Sequence, residues 1–190
     1  PFWQAVLAGR SGGRALDVPW LSDRFRCRVG APVPQPDPLL FNIDAAEARL
    51  LDPAVQFALA GTCLALHDAG LPPRLVDERR NHFEIPGIDP ERAGVVLGTG
   101  VGGLVTIEWT HTQYSSGRPL TGAIRYAVPM LIPNAGPAQV AIKYGLKGEC
   151  KAVATACAAG TMAIGDAFRL VRDGELDVVI TGGFEKARSD

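Results

Sequence analysis

No apolar run in these 190 residues approaches the roughly 20 needed to cross a bilayer. Residues Pro1 to Arg10 also lack the basic-then-apolar layout of a secretory signal. Charge is nearly balanced, with a formal net of −1, so no basic field invites nucleic acid or an anionic membrane surface. Histidine is scarce: His67, His82 and His111 stand far apart and at no metal-ligand spacing. The four cysteines (Cys27, Cys63, Cys150 and Cys157) form no Cys-x-x-Cys pair, so neither a structural zinc site nor a disulfide framework is expected. Reduced thiols in a cytoplasmic setting are the expectation, and that leaves room for one reactive cysteine.

What remains is ordinary globular material, 47% hydrophobic and 21% charged, enough for one domain with a sizeable core. The chain opens on Pro1-Phe2-Trp3 inside a pattern that reads as an amphipathic helix (Phe2, Val6, Leu7). It stops at Asp190 just past an apolar strand, so a piece of a longer polypeptide is expected. Residues 10–40 are rich in Gly, Pro and Arg, and the proline-studded run Pro32 to Pro38 reads as an exposed loop. A helix follows, with Asp52 as N-cap, Pro53 at its first position and Gly70 as the left-handed residue that ends it. Within it Val55, Leu59, Cys63 and Leu66 recur at helical spacing and should be core. Residues 72–92 read as a polar surface excursion. Ala93 to Leu97 reads as a buried strand leading into a glycine turn, with a helix beyond it through Ile107 and Trp109. Residues 115–122 should be loop and 134–144 another helix. Lys151 to Ala156 reads as a strand, Met162, Ile164, Ala167, Phe168 and Val171 as a helix ending at Gly174, and Asp177 to Thr181 as a further strand closed by Gly182-Gly183. Strand, helix and strand in about 30 residues is the size of a βαβ crossover.

Three features bear on chemistry. Cys157 falls where a strand ends and a helix begins, among small residues (Thr155-Ala156-Cys157-Ala158-Ala159-Gly160-Thr161). The positive end and free N–H groups of a helix start favour a thiolate and can stabilise a developing oxyanion. A buried, inert cysteine is the alternative that position and flanks alone leave open. Gly98, Gly100 and Gly103 spell Gly-x-Gly-x-x-Gly after a strand and before a helix, the spacing of a dinucleotide turn. Such a site also wants an acidic residue about 20 positions on; Glu108 is too near and the next acid is Glu149. A tight backbone turn beside a cavity is the better reading. His67 and His82 read as solvated and His111 as a surface residue, so none supplies a general base for Cys157.

The run from Val153 through Cys157 to Ala167 resembles the active-site signature of β-ketoacyl synthases, and Gly174 to Glu185 resembles the family's next strand. Upstream, Phe2-Trp3 with Leu7 to Gly12, Asp52 to Leu71, Gly98 to Leu104, and Tyr144 to Gly148 are similar to family segments, so the likeness spans essentially all 190 residues. The Ala-Cys-Ala-Ala-Gly form is closest to the discrete, elongating synthases. It departs from the Ala-Cys-Ser-Ser form of modular polyketide synthases and from the silent chain-length partners that replace this cysteine.

The resemblance implies an α/β, thiolase-like fold: residues 1–190 as the N-terminal half of the αβαβα architecture, a mixed sheet with covering helices, lacking the first strand and the C-terminal half. It implies decarboxylative Claisen condensation of an acyl thioester with malonyl-acyl carrier protein, in fatty acid or polyketide synthesis, through an acyl-Cys157 intermediate. The Cys157 amide would be one oxyanion donor, and Val101 and Leu131 would line the acyl pocket, Leu131 from the other subunit. Glu185 would be structural rather than catalytic. The implied partners are an acyl carrier protein, acyl and malonyl thioesters and a second copy of the chain, paired through strand Lys151–Ala156. Nucleic acid and membrane are not among them. No cofactor is implied, since phosphopantetheine arrives on the carrier. The family's two catalytic histidines, its lysine and its glycine-rich oxyanion loop have no match in these residues. Two rival readings are a non-condensing acyl-transfer relative, priming or ester-forming, and a non-catalytic scaffold derived from the fold.

Overall fold

The computed structural model describes residues 2–18, 21, 25–117 and 122–186. The chain divides into two units, Pro1–Gln35 and Pro36–Ser189. The first holds helix α1 (Phe2–Leu7) and a two-residue antiparallel ribbon, β1 (Arg14–Ala15) with β2 (Val29–Gly30). The expected helix is there, but Val6 and Leu7 are exposed rather than buried along an apolar face.

The second unit begins in the proline-rich loop, makes a 3-10 turn at Pro38–Phe41 and a single helical turn α2 (Ala45–Ala48), then enters helix α3 (Pro53–Asp68). Asp52 caps α3 by accepting from Ala54 N at 2.8 Å, Pro53 stands in the first turn, and Gly70 follows at φ +72°. Val55, Leu59, Cys63 and Leu66 are all buried, as their spacing predicts. The other Asp52 oxygen accepts from the N–H and the hydroxyl of Thr106, each at 2.8 Å, in helix α4 introduced below. One buried carboxylate thus serves the first turns of two helices, whose positive ends suit its charge.

Residues 72–92 hold more structure than their polarity predicts. Strands β3 (Arg74–Asp77) and β4 (His82–Glu84) form an antiparallel hairpin with a shift in register at its turn. The hairpin delivers Phe83 and Ile85 into the core. Only those two positions alternate inward, too short a pattern to stand out from the charged residues around them.

A three-stranded sheet follows, made of β5 (Ala93–Gly98), β6 (Cys150–Val153) and β7 (Val178–Gly183) in the order β6-β5-β7. Helices α4 (Leu104–Ser115), α5 (Ala127–Leu131) and α6 (Ala135–Tyr144) lie between β5 and β6 in sequence, and α7 (Ala159–Arg172) lies between β6 and β7. Helical returns make all three strands parallel. The expected α/β class with covering helices stands; among the described residues the pairing is parallel in this sheet and antiparallel in the two separate ribbons. The β6-α7-β7 crossover also passes over β5 rather than joining neighbours. The expected loop at 115–122 lies partly outside the described residues; Ser115 closes α4 and a 3-10 turn starts at Gly122.

All six residues of β5 are buried, so both faces of the sheet are covered. Val95 and Leu97 pack with Leu59, Val140, Tyr144 and Phe83 on the α3/α6 face. Val96 packs with Ala163, Ala167, Leu170 and Leu176 on the α7 face. Among the described residues no helix is long and apolar enough to cross a membrane.

Candidate active site

The three parallel strands end level with one another, for Gly98 pairs with Val153 on one side and Gly183 on the other. Thr99 N donates to Val153 O at 3.0 Å and Phe184 N to Gly98 O at 2.9 Å, closing the ladder there. Three loops leave this edge: the glycine turn Gly98–Gly103, the segment carrying Cys157, and Phe184-Glu185. Outside the carboxyl ends of parallel strands is where open α/β sheets bind ligands.

Strand β6 stops at Val153, three residues before the Ala156 expected from the sequence, because its ladder partner β5 ends there. Thr155 then bends the chain and Ala156 takes φ +50°, a left-handed conformation that costs a residue with a Cβ roughly 1–2 kcal/mol. Residues Ala156–Ala158 form a 3-10 turn that runs directly into α7 at Ala159. Cys157 is therefore at a strained strand-to-helix corner, and it is exposed. The alternative of a buried cysteine therefore does not apply to Cys157. Cys63 is the buried one, and burial pushes its thiol pKa up. All four cysteines are free.

Glycine makes the corner possible. A Cβ on Gly98 would overlap the Ala159 carbonyl and the Gly160 nitrogen, so β5 ends with its backbone against the first turn of α7. Gly160 and Gly183 meet in the same way, each Cβ position lying 3.3 Å from the other's Cα. The start of α7 thus meets the ends of β5 and β7 backbone to backbone. Sequence spacing marks Gly98 as part of the turn; the meeting of Gly98, Gly160 and Gly183, 85 positions from first to last, has no local signal.

The glycine turn lies alongside. A Cβ on Gly100 would stand 3.9 Å from the Ala156 Cα, which brings the Val101 turn up to the Cys157 corner. Val101 is exposed. Leu131, half-buried at the end of α5, accepts from Gly103 N at 3.1 Å through its carbonyl, so its backbone joins the same turn within one chain. Glu185 closes the group: its Oε2 accepts from Gly100 N at 2.5 Å, Thr99 Oγ1 at 3.2 Å and Val101 N at 3.3 Å. Cys157, Val101 and Leu131 thus share one edge of the sheet.

The histidines stand elsewhere. His67 is exposed near the end of α3, and His111 is exposed on α4 with its Nε2 3.4 Å from Ser115 Oγ. His82, expected to be solvated, is half-buried with Nδ1 2.9 Å from the Ile142 carbonyl. Among the described residues no hydrogen bond joins a histidine to Cys157. A cleft of 610 Å3 lies away from Cys157, between the β3-β4 hairpin and the end of α6, lined by His82, Ile85, Ile142 and Lys147 among others.

A parallel sheet with helices on both faces makes this an α/β protein, with an exposed cysteine on a strained corner where a helix begins. The particular family is given by comparison with known proteins: residues 1–189 match the family model "Beta-ketoacyl synthase, N-terminal domain", and the chain belongs to that family. It is 37% identical over 186 residues to a 3-oxoacyl-[acyl-carrier-protein] synthase 2 of Synechocystis, an alignment covering 98% of this chain and 41% of the relative. It is 39% identical over 144 residues to a protein of the same name from Staphylococcus aureus, covering 76% of this chain and 32% of that one. Among solved structures it resembles a β-ketoacyl synthase from Burkholderia phymatum, with a TM-score of 0.66, 25% identity and coverage of 92% and 40%. The ishigamide ketosynthase/chain length factor shares the fold, with a TM-score of 0.73 at 24% identity over 95% and 41%. The chain spans about two fifths of the length of the first of these relatives.

Proposed function

We propose that this chain is the nucleophile-bearing part of a β-ketoacyl-acyl carrier protein synthase. The observation that carries the reading is the exposed Cys157 at the corner between β6 and α7, with the family match around it. The Cys157 thiolate attacks the thioester carbonyl of an acyl chain held on the phosphopantetheine arm of a carrier protein. The tetrahedral oxyanion, met by the Cys157 amide, collapses; the carbonyl–sulfur bond to the carrier breaks and the carrier thiol leaves with a proton. A malonyl thioester then loses carbon dioxide, and its carbanion attacks the acyl-Cys157 carbonyl, forming the new carbon–carbon bond and returning the thiolate. Covalent storage divides a three-body encounter into two ordered steps. No resident cofactor is needed. The groups that assist decarboxylation are absent from these residues in this reading, so the part tested here is acyl acceptance.

Val101 and Leu131 line the acyl pocket, the Leu131 backbone being bonded to the glycine turn of its own chain. Supporting a homodimer, the outer edge of β6 has no strand beside it among the described residues, and α7 presents Met162, Ile164 and Phe168 exposed nearby in the chain. A reducing cytoplasm suits a free catalytic thiol.

Incubation with acyl-pantetheine thioesters followed by intact and peptide mass analysis tests the proposal. Acyl mass is expected on Cys157 and none on Cys63, whose raised pKa and burial leave it unreactive. Cys157→Ala should stay folded, since the side chain is exposed, and take up no acyl group. Acylation of that variant at the wild-type rate would sink the assignment.

A further inference from the structure

The Gly-x-Gly-x-x-Gly turn has the spacing that elsewhere cradles a phosphate with backbone N–H groups, and here the cradle is filled from within. A single oxygen, Glu185 Oε2, takes Gly100 N, Val101 N and the Thr99 hydroxyl. Thr99 Oγ1 in turn accepts from Gly102 N at 3.0 Å. Four successive residues, 99–102, therefore answer to one carboxylate, directly or through one hydroxyl. Gly100 leaves the room for it: a Cβ there would stand 2.8 Å from that oxygen. The far end of the turn is pinned separately by Gly103 N on Leu131 O. Glu185 itself is fixed in register, because Phe184 beside it bonds Gly98 and is buried.

We propose that Glu185 is a positioning residue for acyl-chain selection, holding the turn so that Val101 stands at a set place beside the Cys157 corner. This rests on the acyl-synthase reading above. Hydrogen bonds to a carboxylate are the strong kind, and three donors on one oxygen restrict a six-residue turn that is otherwise mostly glycine and free to wander. Without the carboxylate, Val101 would sample several positions, and the sharp edge of the pocket would blur. The same contact gives a second reason, beyond the missing acidic partner, why the turn is not a nucleotide site: a phosphate would meet a carboxylate already in place.

The test uses Glu185→Gln, which keeps an acceptor oxygen, Glu185→Ala, which removes it, and Val101→Ala as a direct change to the pocket. Two readouts are taken on each: amide exchange of Gly100 and Val101 by NMR, and acylation rates of Cys157 with acyl-pantetheine thioesters of graded length. For Glu185→Ala, exchange at both amides should rise about tenfold or more, the worth of one hydrogen bond to a charged group. The ratio of long-chain to short-chain acylation should shift, while the rate with the shortest thioester stays near wild type. Glu185→Gln should fall between. Val101→Ala should shift the ratio without faster exchange at Gly100. Unchanged exchange in Glu185→Ala would overturn the anchoring. Faster exchange with an unchanged length ratio, or an equal loss at every length, would overturn the role in selection. No acylation of the wild type would sink the acyl reading and the selection role with it, while the exchange data would still decide the anchoring. Should Glu185→Ala fail to fold, Gly100→Ala takes its place, since its Cβ would push the carboxylate out of the cradle; the same two outcomes then decide.

Discussion

The two faces of the central sheet are held in opposite ways. On the α3/α6 face the contact is made by large side chains: Val55, Leu59, Phe83, Val140 and Tyr144 interlock with Val95 and Leu97. Beside them lies a part-buried ion pair, the buried Lys143 Nζ to the half-buried Glu47 Oε2 at 2.6 Å, with Asn81 Nδ2 on the same oxygen at 2.9 Å and the ammonium over the Phe83 ring. On the α7 face, at the end next to Cys157, the contact is backbone on backbone through Gly98, Gly160 and Gly183. Side chains can repack when one is trimmed; a backbone contact cannot, because there is no rotamer to change. The site end is thus the less forgiving of the two, and the opposite face supplies stability with more tolerance.

The sharpest way to break that comparison is Gly98→Ala. The added methyl would overlap the Ala159 carbonyl, so a loss of about 3 kcal/mol or more is expected in urea unfolding, together with altered alkylation of Cys157. An unchanged midpoint would mean that α7 can slide, and the contrast between the faces would go. Glu47→Ala comes next. It leaves the Lys143 ammonium, whose side chain is 3% exposed, without its carboxylate, and breaking such a pair costs about 3 kcal/mol. Here the Cys157 alkylation rate should stay at the wild-type value; a fall would show that the two faces are coupled. The smallest effect concerns Asp166 on α7. Its hydrogen bond to Lys151 on β6, with Arg169 beside it, holds its pKa below the ordinary 3.8. A lowered carboxylate pKa in the folded state adds stability above the unfolded value and loses it as pH falls through the folded one. Wild type should therefore lose stability more steeply than Asp166→Asn below about pH 4, and parallel curves would remove the tie between β6 and α7.

Much of the fold was legible in the chain. The cap at Asp52, Pro53 at the first helical position and Gly70 at the end delimit α3 from local chemistry alone, and its core positions follow from periodicity. The buried run of β5, the extent of α7 and the Cys157 motif were equally plain, though of the five apolar residues that marked α7 only Ala167 is buried. The hairpin at 74–84 was not, since two inward residues make no pattern. Nor was the end of β6, because Ala154 to Ala156 suit a strand as well as a loop, and only the length of the neighbouring strand stops the ladder at Val153. The part played by Glu185 left no local trace: it lies 85 residues beyond Gly100, whose amide it accepts.

By itself the sequence determined which residues could start and stop helices, which positions of α3 face the core, and that a cysteine among small residues followed a strand. Each of these is a matter of neighbours a few positions apart. Only the tertiary structure decided that three glycines from distant segments would let a helix seat on bare backbone, that Ala156 would be forced left-handed, and that Glu185 would fill the glycine turn. Those are contacts between parts that the chain brings together only when the sheet closes.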